Sequence, residues 1–224
     1  MLSNDGGNIS HKLLGVIIMS TATNSAPINA NNLELNAGDD FIFLLDVSGS
    51  MGATDTPTGQ TRYDFAKEKA LAFCNEAAKI DTDGISIFRF GHQITKFSDI
   101  TPDKIDAAFA GGPTEMATET AKAIQAAWDE HVERKNEQTF VLIVTDGSPT
   151  DKEAVKQTII NITNKVKDER EFNISFLQVG NDPAVAAFLS AIDDDLKGAK
   201  YDIVDCKRLE DVSFMAAVAG AMND

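Results

Sequence analysis

Residues 41–51 decide the fold, and they read Phe-Ile-Phe-Leu-Leu-Asp-Val-Ser-Gly-Ser-Met. The first five residues form an unbroken apolar run, which is typical of a strand that is buried on both faces, as in the centre of a parallel sheet. The run ends at Asp46, in a loop rich in serine and glycine. The stretch therefore predicts a central strand with polar side chains at its carboxyl end.

Working outward from this strand, apolar patterns typical of helices and strands alternate. Ala66, Ala70, Phe73 and Ala77 recur with helical spacing, and residues 84–97 predict a β-hairpin. The later patterns predict helices that begin near Thr101 and Pro183 and helices over about 121–132, 152–167 and 212–219, with strands over 140–144, 173–179 and 201–204. This alternation predicts an α/β domain of three layers: a doubly wound, mostly parallel sheet of about six strands with one antiparallel edge strand, and helices on both faces.

The composition excludes several classes of partner. The chain has 224 residues, 43% of them hydrophobic, which suits one domain with a substantial core. Its 35 acidic and 20 basic residues give a formal charge of −15, so nucleic acid and anionic membranes are not expected as partners. No apolar run is long enough to span a bilayer. We expect a flexible lead-in over residues 1–36 and a single domain over residues 37–224.

The compartment is inferred from the cysteines and the first residues. Cys74 and Cys206 follow neither metal spacing nor a disulfide framework, which favours free thiols in a reducing cytoplasm. The apolar run 13–19 resembles a short signal-peptide core and leaves secretion as a weaker alternative. Met19 is an alternative start of translation.

Oxygen-bearing side chains predict a metal site at the carboxyl end of the first strand. Asp46, Ser48 and Ser50 occupy alternate positions, and Gly49 lets the backbone bend between them. Asp146 follows the strand 140–144 and would reach the same edge of a parallel sheet. Two carboxylates with hydroxyl oxygens suit a hard divalent cation, Mg²⁺ first and Ca²⁺ or Mn²⁺ next.

These residues carry a family resemblance. Residues 41–51, the strand end Val-Thr-Asp-Gly at 144–147 and the order of strands and helices resemble von Willebrand factor A-type domains, including the inserted domain of integrins. The resemblance covers residues 40–224 and implies a Rossmann-like fold with a metal-ion-dependent adhesion site. It assigns Asp46, Ser48, Ser50 and Asp146 to the metal, together with a threonine. Two threonines fit that role: Thr118, which opens a Thr-x-Thr-small-x-small-Ile pattern before a helix and which we favour as its N-cap, and Thr114, which lies close after a pair of glycines.

The resemblance also implies roles and a partner. Asp46 would anchor the metal, Ser48 and Ser50 would bind it through their hydroxyls, and Thr118 and Asp146 would bind it directly or through water. The ion would then accept a Glu or Asp carboxylate of a protein partner. The single domain without a membrane span is similar to prokaryotic cytoplasmic members of the family, whose partners include chaperone-like ATPases and stress-system components.

Two other functions compete with a binding module. Magnesium-dependent phosphatases of the haloacid dehalogenase type also place an Asp after a buried strand, but they need a second Asp two residues later, where this chain has Ser48. Neither a phosphate-binding glycine loop nor a Gly-x-Ser-x-Gly turn is present, so we do not expect an enzyme. The second alternative is a structural subunit with a vestigial metal site.

Overall fold

The computed structural model describes residue 35 and residues 38–81, 83–193 and 196–223, with side chains described as far as residue 220. Residues 1–34, which hold most of the predicted lead-in and the apolar run 13–19, lie outside the described residues. None of the described helices is both long enough and apolar enough to cross a membrane.

A single sheet forms the centre of the fold. Its strands are β1 (Asp39–Asp46), β2 (Ile85–Phe90), β3 (Ile94–Ile100), β4 (Gln138–Thr145), β5 (Phe172–Gln178) and β6 (Val204–Arg208). They lie in the order β3-β2-β1-β4-β5-β6, and every neighbouring pair is parallel except β2 and β3. The predicted fold class, including the antiparallel edge strand, is confirmed.

Helices cover both faces of this sheet. They are α1 (Arg62–Ala77), α2 (Ile105–Ala108), α3 (Thr120–Arg134), α4 (Lys152–Thr163), α5 (Pro183–Asp193) and α6 (Phe214–Asn223). One apolar cluster joins the sheet to α1, α2 and α6, and a second joins the opposite face to α3, α4 and α5. All eight residues of β1 are buried, as its position between the two clusters requires.

Three details of the sequence prediction were wrong. The last strand lies at Val204–Arg208 and not at 201–204, because Val204 pairs with Ile174 and the polar residues after it are tolerated at the edge of the sheet. The helix expected over 152–167 ends at Thr163. The helical spacing of Trp128 and Val132 predicted that Val132 is buried and that His131 lies on the surface of α3, but Val132 is 53% exposed, and His131 is buried against Trp128 and hydrogen-bonded to Thr139.

The strand order creates a crevice at one edge of the sheet. β1 lies between β2 and β4. From β1 the chain runs outward to β2 and β3 on one side, and it then returns to form β4, β5 and β6 on the other side. In open α/β sheets, ligands bind beyond the carboxyl ends of the strands at such a switch point. We call this side the carboxyl edge and the opposite side the amino edge. Asp46 ends β1, and Asp146 directly follows β4, so both lie at the switch point.

Candidate metal centre

Asp46 is the most deeply buried residue of the candidate site. Its side chain has no exposed surface, and its two oxygens accept hydrogen bonds from the Ser48 amide at 2.8 Å and the Thr145 hydroxyl at 2.6 Å. Burial raises the pKa of Asp46 to about 6, and these hydrogen bonds only partly oppose that rise. Among the described residues, no cationic side chain forms a salt bridge with Asp46. A buried carboxylate without a cation is the kind of group that a metal ion would stabilise.

The two serines and Asp146 form a chain of close oxygens. Ser48 Oγ lies 3.0 Å from Ser50 Oγ, and Ser50 donates a hydrogen bond of 2.8 Å to Asp146 Oδ1. The predicted convergence of these side chains at one point is therefore present. The segment reaches it by entering a 3₁₀ turn, Gly49–Gly52, and not by staying extended. Gly49 has no positive φ, and a Cβ there would lie 3.9 Å from its nearest neighbour, so the bend does not depend on glycine.

Thr118 and Thr114 lie in different environments. Thr118 is buried, and its hydroxyl faces Gly147, whose added Cβ would lie 3.9 Å from it. Hydrogen bonds from the Thr118 amide to the Thr150 hydroxyl and from the Thr150 amide to the Thr118 carbonyl fix its backbone beside the loop after β4. The prediction that Thr118 is the N-cap of α3 was wrong, because the helix begins at Thr120 with Glu119 in the capping position. Its hydroxyl is therefore available to the site, whereas Thr114 is exposed.

The segment that carries Thr118 is joined to the loop after β1 through Glu115. Backbone hydrogen bonds run from Gly49 to the Glu115 carbonyl at 2.9 Å and from Glu115 to the Val47 carbonyl at 3.0 Å. The Glu115 side chain crosses Gly91, where a Cβ would lie only 2.1 Å from Glu115 Cβ. The next residue, Met116, is 99% exposed, so the rim of the site carries one fully exposed apolar side chain.

Three contributors to the site were missed from the sequence. Thr145 binds Asp46, Arg62 donates a hydrogen bond of 2.7 Å to Asp146 Oδ2, and Gly180 lies against the Arg62 guanidinium. Arg62 left one signal in the sequence, since it stands in the first turn of a helix, where a basic residue is unfavourable unless acidic groups surround it. Thr145 and Gly180 left none, because their roles depend on contacts between distant parts of the chain.

The donor set is made of oxygen atoms. Within the described part of the chain, no group of three or more His, Cys, Asp or Glu side chains is arranged to hold a metal. The candidate centre therefore depends on hydroxyl groups as well as on its two carboxylates. Such a set excludes a zinc site of the usual His and Cys type and fits a hard cation.

Comparison with known proteins gives the family context. The model of the von Willebrand factor type A domain matches residues 41–149, a range that contains all of the predicted site residues. This part of the chain is therefore similar to the von Willebrand factor type A domain. No curated protein matches this chain.

Solved structures of several proteins share the fold of this chain. The SpRpn10 VWA domain is 15% identical with a TM-score of 0.58, covering 77% of this chain and 92% of that one. The manganese-loaded TRAP protein of Plasmodium vivax is 15% identical with a TM-score of 0.53, covering 81% and 73%. A variant of the PilB minor pilin from Streptococcus sanguinis is 11% identical with a TM-score of 0.57, covering 84% and 60%. At these identities the likeness concerns the fold alone.

Proposed function

We propose that this chain is a metal-dependent protein-binding module without catalytic activity. A divalent cation would be held by Asp46, Ser48, Ser50 and Thr118, with Asp146 binding directly or through water. The observation that carries the proposal is the meeting of the two serine hydroxyls with Asp146 beside a buried carboxylate that has no cation. We further propose that residues 37–224 form the binding domain and residues 1–36 a lead-in.

The spacing of the oxygens fits a small cation. Around Mg²⁺, ligand oxygens at 2.0–2.1 Å in an octahedron lie about 2.9 Å from their neighbours. The separations of 3.0 Å between Ser48 and Ser50 and of 2.8 Å between Ser50 and Asp146 are close to that value. The same separations are those of ordinary hydrogen bonds between oxygens, so the choice of Mg²⁺ first, with Mn²⁺ or Ca²⁺ as alternatives, rests on the hard oxygen donors. The similar TRAP protein is manganese-loaded, which supports a divalent cation as the ligand of this chain.

The charge of the chain supports an acidic partner that needs the metal. With a formal charge of −15, the protein repels acidic surfaces in the absence of a cation. A divalent ion that is held by two carboxylates and neutral hydroxyls remains able to attract a third carboxylate, from a Glu or Asp of a partner protein. Met116, exposed on the rim, would add apolar contact beside that carboxylate. We propose a cytoplasmic role beside an ATPase or a stress-system component, by analogy with the family resemblance.

A second candidate function is a protein-binding module that uses no metal. It is favoured by the ion pair between Arg62 and Asp146, since the guanidinium already supplies positive charge to one of the two carboxylates. In this alternative the hydroxyl groups of the site serve the structure of the loop alone.

Thermal unfolding separates the two candidates. The natural chain would be unfolded in EDTA and then with Mg²⁺, Ca²⁺ or Mn²⁺, beside Asp46→Ala and Ser50→Ala. Ser98→Ala is the matched control, because Ser98 is an exposed serine on the edge strand β3. Ligands that bind only the folded state raise the midpoint by mass action. A metal-dependent rise in the natural chain and in Ser98→Ala that is lost in both site variants supports the first candidate, and no rise with any ion supports the second.

A further inference from the structure

Arg62 makes more contacts with carboxylates than any other basic residue at the carboxyl edge of the described structure. Its Nη1 donates to Asp146 Oδ2 at 2.7 Å, while Nε and Nη2 donate to the two oxygens of Asp55 at 2.7 and 2.6 Å. The side chain is only 15% exposed. Paired donation of this kind fixes the guanidinium in one plane and orientation.

The position of Arg62 is unfavourable apart from these contacts. It is the first residue of α1, where the helix dipole is positive and a basic side chain is disfavoured. The N-terminus of the helix is capped without it, since Thr61 accepts a hydrogen bond from the Asp64 amide. The guanidinium is therefore held by Asp55 and Asp146 and not by the helix, and these hydrogen bonds raise the pKa of Arg62.

Gly180 gives the guanidinium its space. It follows β5 with a φ of +80°, and a Cβ at this position would lie 2.7 Å from Cζ, Nε and Nη2 of Arg62. A side chain there would displace the guanidinium from the two carboxylates. Four separate parts of the chain thus surround the Arg62 side chain: the loop with Asp55, the start of α1, Asp146 directly after β4, and Gly180, the second residue after β5.

We propose that Arg62 is a resident counter-charge of the metal site, which opposes the cation electrostatically, competes with it for Asp146 and so lowers the affinity for metal. This inference rests on the proposed function. Asp46, Asp55 and Asp146 bring three carboxylates to the site, and Arg62 offsets one of them. A cation that approaches Asp146 meets a carboxylate whose two oxygens are already engaged by Arg62 and Ser50.

The expected size of the effect follows from Coulomb's law. Even in the dielectric of bulk water, which gives the smallest effect, a unit charge and a divalent ion about 6 Å apart repel each other enough to change affinity about tenfold. Replacing Arg62 by a neutral residue of similar length would therefore tighten cation binding at least about tenfold. A lysine would keep the charge and so keep the affinity close to that of the natural chain.

The test is the dissociation constant for Mn²⁺, measured by titration calorimetry on the full chain. The natural protein would be compared with Arg62→Gln, Arg62→Lys and a control, Arg208→Gln. Arg208 is also a partly exposed arginine paired with acidic residues, and it ends β6 at the same edge of the sheet. Unfolding in EDTA would establish that each variant is folded. We expect tighter binding in Arg62→Gln alone.

The outcomes separate this inference from the proposed function. If the natural chain binds Mn²⁺ and Arg62→Gln binds equally or more weakly, the inference is overturned and the proposed function stands. If only Arg62→Gln binds, the inference is supported and the metal-free alternative becomes the function of the natural chain. Tighter binding in Arg208→Gln as well would overturn the inference, because loss of any positive charge would then suffice. If no variant binds, both are overturned.

Discussion

Both edges of the sheet hold buried carboxylates, but the partners of Glu130 at the amino edge differ from those of Asp46 at the carboxyl edge. At the amino edge, Glu130 is 3% exposed and accepts from Ser86 at 2.7 Å, from Arg134 at 2.8 Å and from Lys96 at 3.2 Å. At the carboxyl edge, Asp46 is fully buried and accepts hydrogen bonds from the Ser48 amide and the Thr145 hydroxyl, and no described cationic side chain forms a salt bridge with it. The first carboxylate is neutralised within the chain, whereas the second is left short of positive charge.

This difference indicates which acidic cluster is structural. Among the described residues, more buried acidic side chains lie at the amino edge, with Asp39, Asp40, Asp81 and Glu130, than at the carboxyl edge, with Asp46 and Asp146. Arg134 forms ion pairs with Glu130 and Asp99, and it partly opposes the rise that burial causes in the pKa of Asp40. A buried carboxylate without a cation indicates a candidate ligand site only where further oxygen donors lie close to it, as Ser48, Ser50 and Asp146 do near Asp46.

The largest expected effect is a loss of stability when Arg134, a cationic partner of buried Glu130 at the amino edge, is replaced. Arg134→Met keeps the length of the side chain but deprives buried Glu130 of a partner, which should lower the free energy of unfolding by about 3 kcal/mol. Urea unfolding in EDTA measures this loss. Lys79→Met, which breaks an exposed pair with Glu76, is the control and should cost less than about 0.5 kcal/mol. A changed affinity for metal in Arg134→Met would break the distinction between the two edges.

A smaller effect is expected from the pH dependence of Asp46. The pKa of this carboxyl is about 6 in the folded chain and near 3.8 in the unfolded one, so between these pH values the folded state binds more protons. Without metal, the free energy of unfolding should therefore fall as pH rises from about 4 to 6 and stay low above that, by up to about 3 kcal/mol. Asp46→Asn should lack this fall, since the amide does not ionise and can still pair with Ser48 and Thr145.

Unfolding in EDTA across this pH range, for the natural chain and Asp46→Asn, measures the contribution. Burial also raises the pKa of Asp81 to about 7, and this contribution is common to both chains and cancels in the difference. Above pH 6 the variant should be the more stable of the two and should gain nothing from added Mg²⁺. Equal pH profiles would show that Asp46 is compensated in solution, and the contrast with Glu130 would be lost.

The smallest expected effect is a change in Mn²⁺ affinity that tests which threonine, Thr118 or Thr114, belongs to the candidate site. Thr118→Val removes a buried hydroxyl beside Gly147 and should weaken Mn²⁺ binding about tenfold, as loss of groups around a metal typically does. Thr114→Val removes an exposed hydroxyl of the same kind and should leave the affinity unchanged. Titration calorimetry on both variants decides between them, and the reverse result would move the ligand to Thr114.

The sequence predicted the sheet well where burial leaves a simple pattern. Strands β1 and β4 lie between two helical layers and read as unbroken apolar runs, so their positions and the polar residues after them could be inferred. Strand β6 borders the sheet and carries Asp205, Lys207 and Arg208, so its sequence gives little sign of a strand. In α3 the helical spacing of apolar residues predicted Val132 at a core position. The structure instead buries the neighbouring His131, which is held by its contacts with Thr139 and Trp128 and not by hydrophobicity.

Only the oxygen-bearing residues of the candidate site could be predicted from the sequence. Asp46, Ser48 and Ser50 are close in sequence, and the strand order brings Asp146 to the same edge. The residues that tune these ligands come from further away: Thr145 acts on Asp46 across 99 positions and Arg62 on Asp146 across 84. Such pairs depend on side-chain geometry, which no local pattern of residues records.

The exposure of Met116 has a chemical consequence. A thioether in open solvent is readily oxidised to the sulfoxide, whereas Met51, which has no exposed surface, is protected within the core. Oxidation at Met116 would convert the apolar rim of the site into a polar one while leaving Asp46, Ser48 and Ser50 chemically unchanged. Mild peroxide would thus alter the exposed rim of the candidate site without altering the oxygen atoms that are proposed to hold a cation.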